Sequence, residues 1–271
     1  MKRPRPQQTW QPEQKALTAL ITGASGGLGA EFARLFAADG WNLLLVARRE
    51  EKLIALKAEL EAAYGVQVAV LAEDLAADGA AQNVAAFANA QHISVGALVN
   101  NAGFGDWGLF AFADLDKQER MIAVNIAALT TLTRLFLSAM LAHGSGRILN
   151  VASIAAFMPG AKMSVYYATK AFVRSFSEAL AVELAGSGVT VTALCPGPVA
   201  SEFWDVCGAR SSGIFRHLLF ADAKSVARYG YRALQKGTVL ALPGVSVRLF
   251  ALLSRLLPRA WVRKIVYIIQ K

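Results

Sequence analysis

Cysteine is nearly absent from this chain: 271 residues include only Cys195 and Cys207. Two thiols in unrelated segments make neither a disulfide framework nor a thiolate metal cluster, and they suit a reducing cytoplasm. The three histidines, His92, His143 and His217, are too scattered to share a metal ion, so no metal is expected. Long apolar runs are missing too. Although 55% of the residues are hydrophobic and the mean hydropathy is +0.39, no uninterrupted run reaches the roughly 18 to 20 residues that cross a bilayer. Residues 1–14 are polar and proline-rich, lack the apolar core of a secretory signal, and read as a loose tail. Acids are outnumbered, 19 against 28 lysines and arginines, for a formal charge of +9. The basic residues are not interleaved with aromatics, which argues against nucleic acid as a partner. A phosphorylated ligand or an anionic lipid surface suits the charge better.

What the chain does have is alternation. Apolar runs at residues 16–22, 41–47, 66–72, 95–100, 147–152, 189–196 and 238–242 read as seven strands. Between them lie segments with helical apolar spacing. These hold Leu28, Phe32, Leu35 and Phe36, then Leu53, Leu56 and Leu60 within residues 50–64, then residues 78–92 and a long stretch at 114–143. Strands alternating with helices predict an α/β fold: a doubly wound parallel sheet with helices on both faces and right-handed crossovers. No linker or repeat interrupts the pattern. Residues 15–244 are therefore expected to form one domain, followed by a basic extension at residues 245–271.

Residues 22–29, TGASGGLG, join the first strand to the first helix. Gly23, Gly27 and Gly29 let the backbone turn sharply and approach a pyrophosphate, and the following helix aims its free amides at the anion. The spacing is G-x-x-x-G-x-G rather than G-x-G-x-x-G. A dinucleotide site carries an acid about 20 residues further on, at the end of the second strand, to hold the ribose hydroxyls. Ala47 stands there instead, followed by Arg48 and Arg49. Loss of the acid removes repulsion of a 2′-phosphate, and an arginine binds one through paired charge-assisted hydrogen bonds. NADP(H) is thus expected over NAD(H), with Arg48 as the main contact. The competing reading is a solvated helix start in which Arg49 pairs with Glu50 or Glu51.

Tyr166 and Lys170 are four apart in a helical segment, so they share a face, and a neighbouring ammonium favours phenolate. That makes Tyr166 a candidate proton donor or acceptor. Ser153 follows the strand at residues 147–152, at the carboxyl end where open α/β sheets bind ligands. Together with the glycine loop, these signals resemble the short-chain dehydrogenase/reductase family over about residues 17–203. The resemblance implies a Rossmann-like fold and hydride transfer between NADP(H) and a carbonyl/alcohol pair. It implies a catalytic tetrad of Asn125, Ser153, Tyr166 and Lys170. In that assignment Ser153 binds the substrate oxygen and Tyr166 donates its proton. Lys170 lowers the Tyr166 pKa and binds the nicotinamide ribose, and Asn125 holds a relay water. The resemblance assigns the cofactor to Gly23, Ser25, Gly26, Gly27, Leu28 and Gly29, and its adenine to Asp74 and Leu75. Further contacts fall to Asn101, Ala102 and Gly103, to Tyr166 and Lys170, and to Pro196, Gly197, Val199 and Ser201. Ser201 replaces the usual threonine and keeps its hydroxyl. A homodimer or homotetramer through the Asn125 and Tyr166 helices is also implied.

Substrate choice is expected from the loops at the carboxyl ends of the strands. There Phe104, Trp107, Phe157, Met158, Met163, Phe203, Trp204 and Phe215 predict an apolar pocket for a hydrophobic carbonyl or secondary alcohol. Tyr167 points about 100° away from Tyr166 and is expected only to pack. In residues 245–271, Arg248, Arg255, Arg259 and Arg263 recur on one stripe among large apolar residues, with Pro258 expected to break the helix. Three roles are open to this extension: a lid, a subunit contact, or a peripheral contact with an anionic membrane. A second hypothesis for the whole chain is a catalytically silent NADP-binding regulator. The intact Asn125, Ser153, Tyr166 and Lys170 argue against it, because a sensor needs no proton-transfer set.

Overall fold

The structure is a computed structural model that describes residues 18–208 and 220–269. The expected tail at residues 1–14 lies outside these residues, as do Phe215 and His217. Its strands are β1 (Thr18–Thr22), β2 (Asn42–Ala47), β3 (Val68–Ala72), β4 (Val95–Asn100), β5 (Gly146–Val151), β6 (Val189–Leu194) and β7 (Leu240–Ala241). They form one parallel sheet in the order β3-β2-β1-β4-β5-β6-β7. The connections supply α1 (Gly27–Ala38), α2 (Glu50–Tyr64), α3 (Ala80–Ala90), α4 (Leu115–Ile122), α5 (Leu129–Ala142), α6 (Ser164–Glu183), α7 (Phe203–Cys207) and α8 (Ala223–Gln235). After β7 come α9 (Val245–Leu256) and α10 (Arg259–Ile269).

The strands are apolar throughout because helices cover both faces of the sheet. Successive side chains alternate between those faces. Ala19, Ile21, Leu43 and Leu45 meet Phe32 and Phe36 of α1, Leu53 of α2 and Leu234 of α8. Leu20, Leu44 and Leu98 meet Val84 of α3, Leu132 and Phe136 of α5, and Leu180 of α6. Each such burial stabilises by roughly 1.5–3 kcal/mol, so the sheet is the rigid frame on which the loops stand.

Several boundaries move from expectation. Trp41 leaves the second strand and packs edge-on against Phe36, centroids 5.4 Å apart. The seventh strand shrinks to two residues, Leu240 and Ala241. The long helix runs Leu115–Ala142 with a π-helical stretch at Ala123–Ala128, and Asp114 caps it by accepting from the Asp116 amide at 3.0 Å. Among the described residues this is the one helix whose length and composition could cross a bilayer, a feature the uninterrupted-run test missed. Leu129, Leu132, Phe136 and Met140 are buried, on the side it turns to the fold. Pro258 does break the extension: Leu257 is extended, and the two helices pack through Ala251, Val262 and Val266 near Phe157, Val173 and Cys195.

A buried polar ladder ties β4 and β5 to α5 and α6. Asn100 donates to Thr133 Oγ1 (3.0 Å) and to Asn150 Oδ1 (2.9 Å), Asn150 donates to Ser177 Oγ (2.9 Å), and Ser177 donates to the Val173 carbonyl (2.6 Å). Asn150→Ala strands one Asn100 hydrogen and removes the donor to Ser177. It is expected to cost about 1–3 kcal/mol, read as a lower urea midpoint at unchanged slope.

Candidate active site

Strand order reverses between β1 and β4, so a crevice opens beyond their carboxyl ends. Thr22 Oγ1 accepts from the Asn101 and Ala102 amides, both at 3.0 Å, and donates to the Val99 carbonyl at 3.3 Å. Asn101 Nδ2 donates to the carbonyls of Thr22 (2.9 Å) and Gly23 (3.2 Å). These bonds draw the glycine loop against β4. A Cβ on Gly23, where φ is +64°, would stand 2.8 Å from Asn101 Nδ2, and one on Gly29 would stand 2.3 Å from the Gly23 oxygen. Neither position tolerates a side chain. α1 starts with no side-chain cap and no acid in its first turn, which leaves its amides to an anion in the cleft. Loop, uncapped helix and the missing acid at Ala47 together fit a pyridine dinucleotide.

Arg48 is exposed at the cleft edge, whereas Arg49 reaches the loop. Arg49 donates to Ser25 Oγ from Nε (3.3 Å) and Nη2 (3.0 Å), so it, not the expected Arg48, is the guanidinium placed against the glycines. Its acidic partner is Glu202 at 2.7 Å rather than Glu50 or Glu51, and Glu202 also meets Lys52 at 2.7 Å. Lys52 and Arg49 hold the Glu202 carboxyl below its ordinary range. Exposed pairs of this kind are worth only about 0–1 kcal/mol each. Further along, Asp74 accepts from the Ala76 amide (3.1 Å) and pairs with Arg120 (2.6 Å). Burial opposes its ionisation, but that amide and Arg120 outweigh it and keep its pKa below the usual value.

The candidate proton-transfer groups follow β5 and sit on α6. Ser153 sits two residues past β5 in extended backbone, its hydroxyl accepting from the Ala155 amide at 3.1 Å, and it lines the same cleft as Tyr166. Tyr166 occupies the first turn of α6, with Lys170 one turn on. Lys170 is buried, donates to the Val151 carbonyl at 2.7 Å, and stands 5.9 Å from the Tyr166 ring centroid. Burial pushes the Lys170 ammonium down to about 8. Burial also raises the Tyr166 pKa, with the Ser153 hydroxyl only partly offsetting it. The expectation that Lys170 lowers Tyr166 is therefore corrected: desolvation dominates the phenol. Asn125 lies in the π-helical stretch, buried, and commits both amide hydrogens, to the Phe104 carbonyl (3.0 Å) and Thr169 Oγ1 (3.0 Å). Its Oδ1 accepts from the Phe104 amide at 3.1 Å. A Cβ on Gly103 would fall 3.0 Å from Asn125 Oδ1 and 3.3 Å from Lys170 Nζ, so that glycine permits the close approach.

These groups line one cleft of about 560 Å³. It takes in every cofactor candidate except Gly29, together with Ser153, Phe104, Phe203 and Trp204. Gly29 and Asn125 stand behind its wall. Three substrate candidates do not line it: Trp107, Phe157 and Met158, the last buried in the core cluster beside Phe157. Phe157 turns inward from the 3₁₀ turn Ile154–Phe157 into the core, 4.5 Å from the Arg174 guanidinium. Trp107 packs behind the wall with Met163 and Cys207. Tyr167 does line the cleft, contrary to expectation, with burial raising its pKa to about 12. Lys117, Arg120 and Glu202 also line it, and no local motif marks them. Ser201 spends its hydroxyl locally, accepting from the Phe203 amide at 3.4 Å.

The family described as short chain dehydrogenase matches residues 17–210. A solved short-chain dehydrogenase from Sphingobium yanoikuyae, in complex with NADPH, superposes with a TM-score of 0.80 at 33% identity, covering 88% of this chain and 93% of that one. Sulfoacetaldehyde reductase 2 of Chromohalobacter salexigens is 40% identical over 214 residues, 77% of this chain and 84% of its own. A very-long-chain 3-oxoacyl-CoA reductase of Pyrenophora tritici-repentis is 38% identical over 179 residues, 64% of this chain. The chain spans about half the length of that relative, 52%. The chain belongs to the short-chain dehydrogenase/reductase family. Its fold is the Rossmann-like one of that NADPH-complexed neighbour.

Proposed function

We propose that the chain interconverts a hydrophobic carbonyl compound and its secondary alcohol with NADP(H). One observation carries this reading: the half-buried Tyr166 shares one cleft with Ser153 and Lys170, the lysine 5.9 Å from its ring centroid, and stands beside aromatic walls, its ring 5.3 Å from that of Phe203. The named relatives act on both a long acyl chain and a small sulfonated aldehyde, so the walls decide the substrate class. Phe104, Met163, Tyr167, Phe203 and Trp204 favour an apolar one.

When bound, reduced nicotinamide supplies the hydride. Ser153 donates a hydrogen bond to the substrate oxygen, and Tyr166 gives that oxygen its proton as negative charge develops. A raised Tyr166 pKa keeps the phenol protonated at neutral pH, ready for reduction. The Lys170 cation then offsets the phenolate. In the reverse direction Tyr166 takes the proton back. Asn125 is a positioning residue that ties Gly103 and Phe104 to α6 through Thr169. Arg49, held at Ser25, and the exposed Arg48 receive the 2′-phosphate, Arg49 exchanging its exposed pair with Glu202 for the phosphate. Exposed Leu135 and Leu141 on α5, with Phe172 and Val182 on α6, support a homo-oligomer through these helices.

Tyr166→Phe is expected to lower kcat/KM for carbonyl reduction by about 10²–10⁴-fold while NADPH still binds, checked by steady-state rates and nicotinamide fluorescence. Lys170 is charged below about 8 and neutral above it. Reduction should therefore weaken as pH rises through that value, whereas Lys170→Met should show a low rate without that limb. The double variant Arg48→Ala/Arg49→Ala is expected to raise KM for NADPH at least about tenfold and to leave KM for NADH nearly unchanged.

A further inference from the structure

The charge of this chain is not spread along it. Residues 223–271 contain ten lysines and arginines and no aspartate or glutamate. Of the 28 cations this leaves 18 for the rest of the chain, against all 19 acids, so the whole positive excess resides in this segment. Its last two helices, α9 and α10, each carry two apolar stripes. The inward stripes, with Ala251 and Ser254 on α9 and Val262 and Val266 on α10, are buried. The outward stripes are no less apolar. Val245, Leu249, Leu252, Leu253 and Leu256 recur at i, i+4, i+7, i+8 and i+11, and Trp261, Ile265 and Ile268 at i, i+4 and i+7. Val245 is 80% exposed, Leu256 71%, Ile268 69% and Trp261 63%.

We propose that α9 and α10 form a docking surface for an anionic lipid bilayer, lying flat with the outward stripes at the acyl boundary. Exposed Arg255 flanks the α9 stripe and exposed Lys264 the α10 stripe, where lipid phosphates would lie, and exposed Arg259 and Arg263 add charge further round α10. The exposed Trp261 and Tyr267 are residue types that settle at the membrane interface. Helices of 12 and 11 residues are too short to span. A second copy of the chain is the poorer occupant. It would bring the same cations face to face, and this segment holds no acid to pair with them. The surface also adjoins the cleft: a Cβ on Gly197, which lines it, would stand 3.3 Å from Val247 of α9. The proposal stands independently of the substrate reading.

The test is flotation of the full chain with phosphatidylcholine vesicles, with and without phosphatidylglycerol, at low and high salt. At least about tenfold stronger partitioning into the anionic vesicles is expected, weakening with salt. Arg255→Glu/Lys264→Glu and, separately, Leu252→Ser/Trp261→Ser should each abolish most of it while circular dichroism and the melting midpoint stay close to the parent. Equal or absent partitioning in both vesicle types overturns the proposal, as does partitioning undiminished in the two variants. Self-association dissolved by Leu252→Ser/Trp261→Ser, without vesicle binding, overturns it in favour of a second copy.

Discussion

The hydrogen bonds between Thr22 and Asn101 set the distance between the ends of β1 and β4, and the site is built outward from that distance. With the strands so close, the loop after β1 must lie against the loop after β4, which leaves no volume for a side chain on Gly23 or Gly29. The same contact directs the bare start of α1 into the crevice. It also brings Gly103 down onto Lys170 and Asn125, so the phosphate end and the chemical end share one scaffold. Because these are backbone and short side-chain contacts inside a packed sheet, small shifts at either end are transmitted rather than absorbed.

Electrostatics work in two regimes along the cleft. At its floor, burial disfavours charge on either side chain, raising the Tyr166 phenol and lowering the Lys170 ammonium to about 8. Both groups lean towards neutrality, which suits a proton that must be given up only when a substrate oxygen gains charge. At its rim, Arg49, Lys52 and Glu202 on one side and Asp74 and Arg120 on the other form exposed pairs worth little in water. Such pairs rearrange readily when an anionic ligand arrives. The floor is rigid and the rim is adaptable, and the difference is one of solvent access.

Charge is segregated on a larger scale as well. The acids accompany the nucleotide-binding frame, while the final helices carry cations alone. Those helices share a buried cluster with Ala152, just before Ser153, and with Phe157 and Met158, just after it. Whatever meets their outer face therefore lies one packed layer from the catalytic loop.

Features that depend on backbone geometry or helical spacing were legible as letters. A glycine loop after a first strand, a tyrosine and lysine four apart, and an alanine where an acid belongs each state a local constraint that no distant contact can undo. Direction and depth were not. Arg48 and Arg49 differ only in which way the chain turns into α2, and that turn put Arg49 on Ser25. Phe157 and Phe203 are equally apolar as letters, yet one fills the core and the other lines the cleft. The Tyr166 pKa read as lowered because the lysine is near in sequence, whereas in the fold desolvation of the phenol is the larger influence. Sequence alone determined the fold class, the glycine loop after the first strand and the placing of Tyr166 and Lys170 one turn apart, since these rest on steric and periodic rules acting within a few residues. The tertiary structure alone decided burial, ion-pair partners such as Lys52 and Glu202 at a separation of 150 residues, and the unpartnered face of the last helices, because each depends on what distant segments leave exposed.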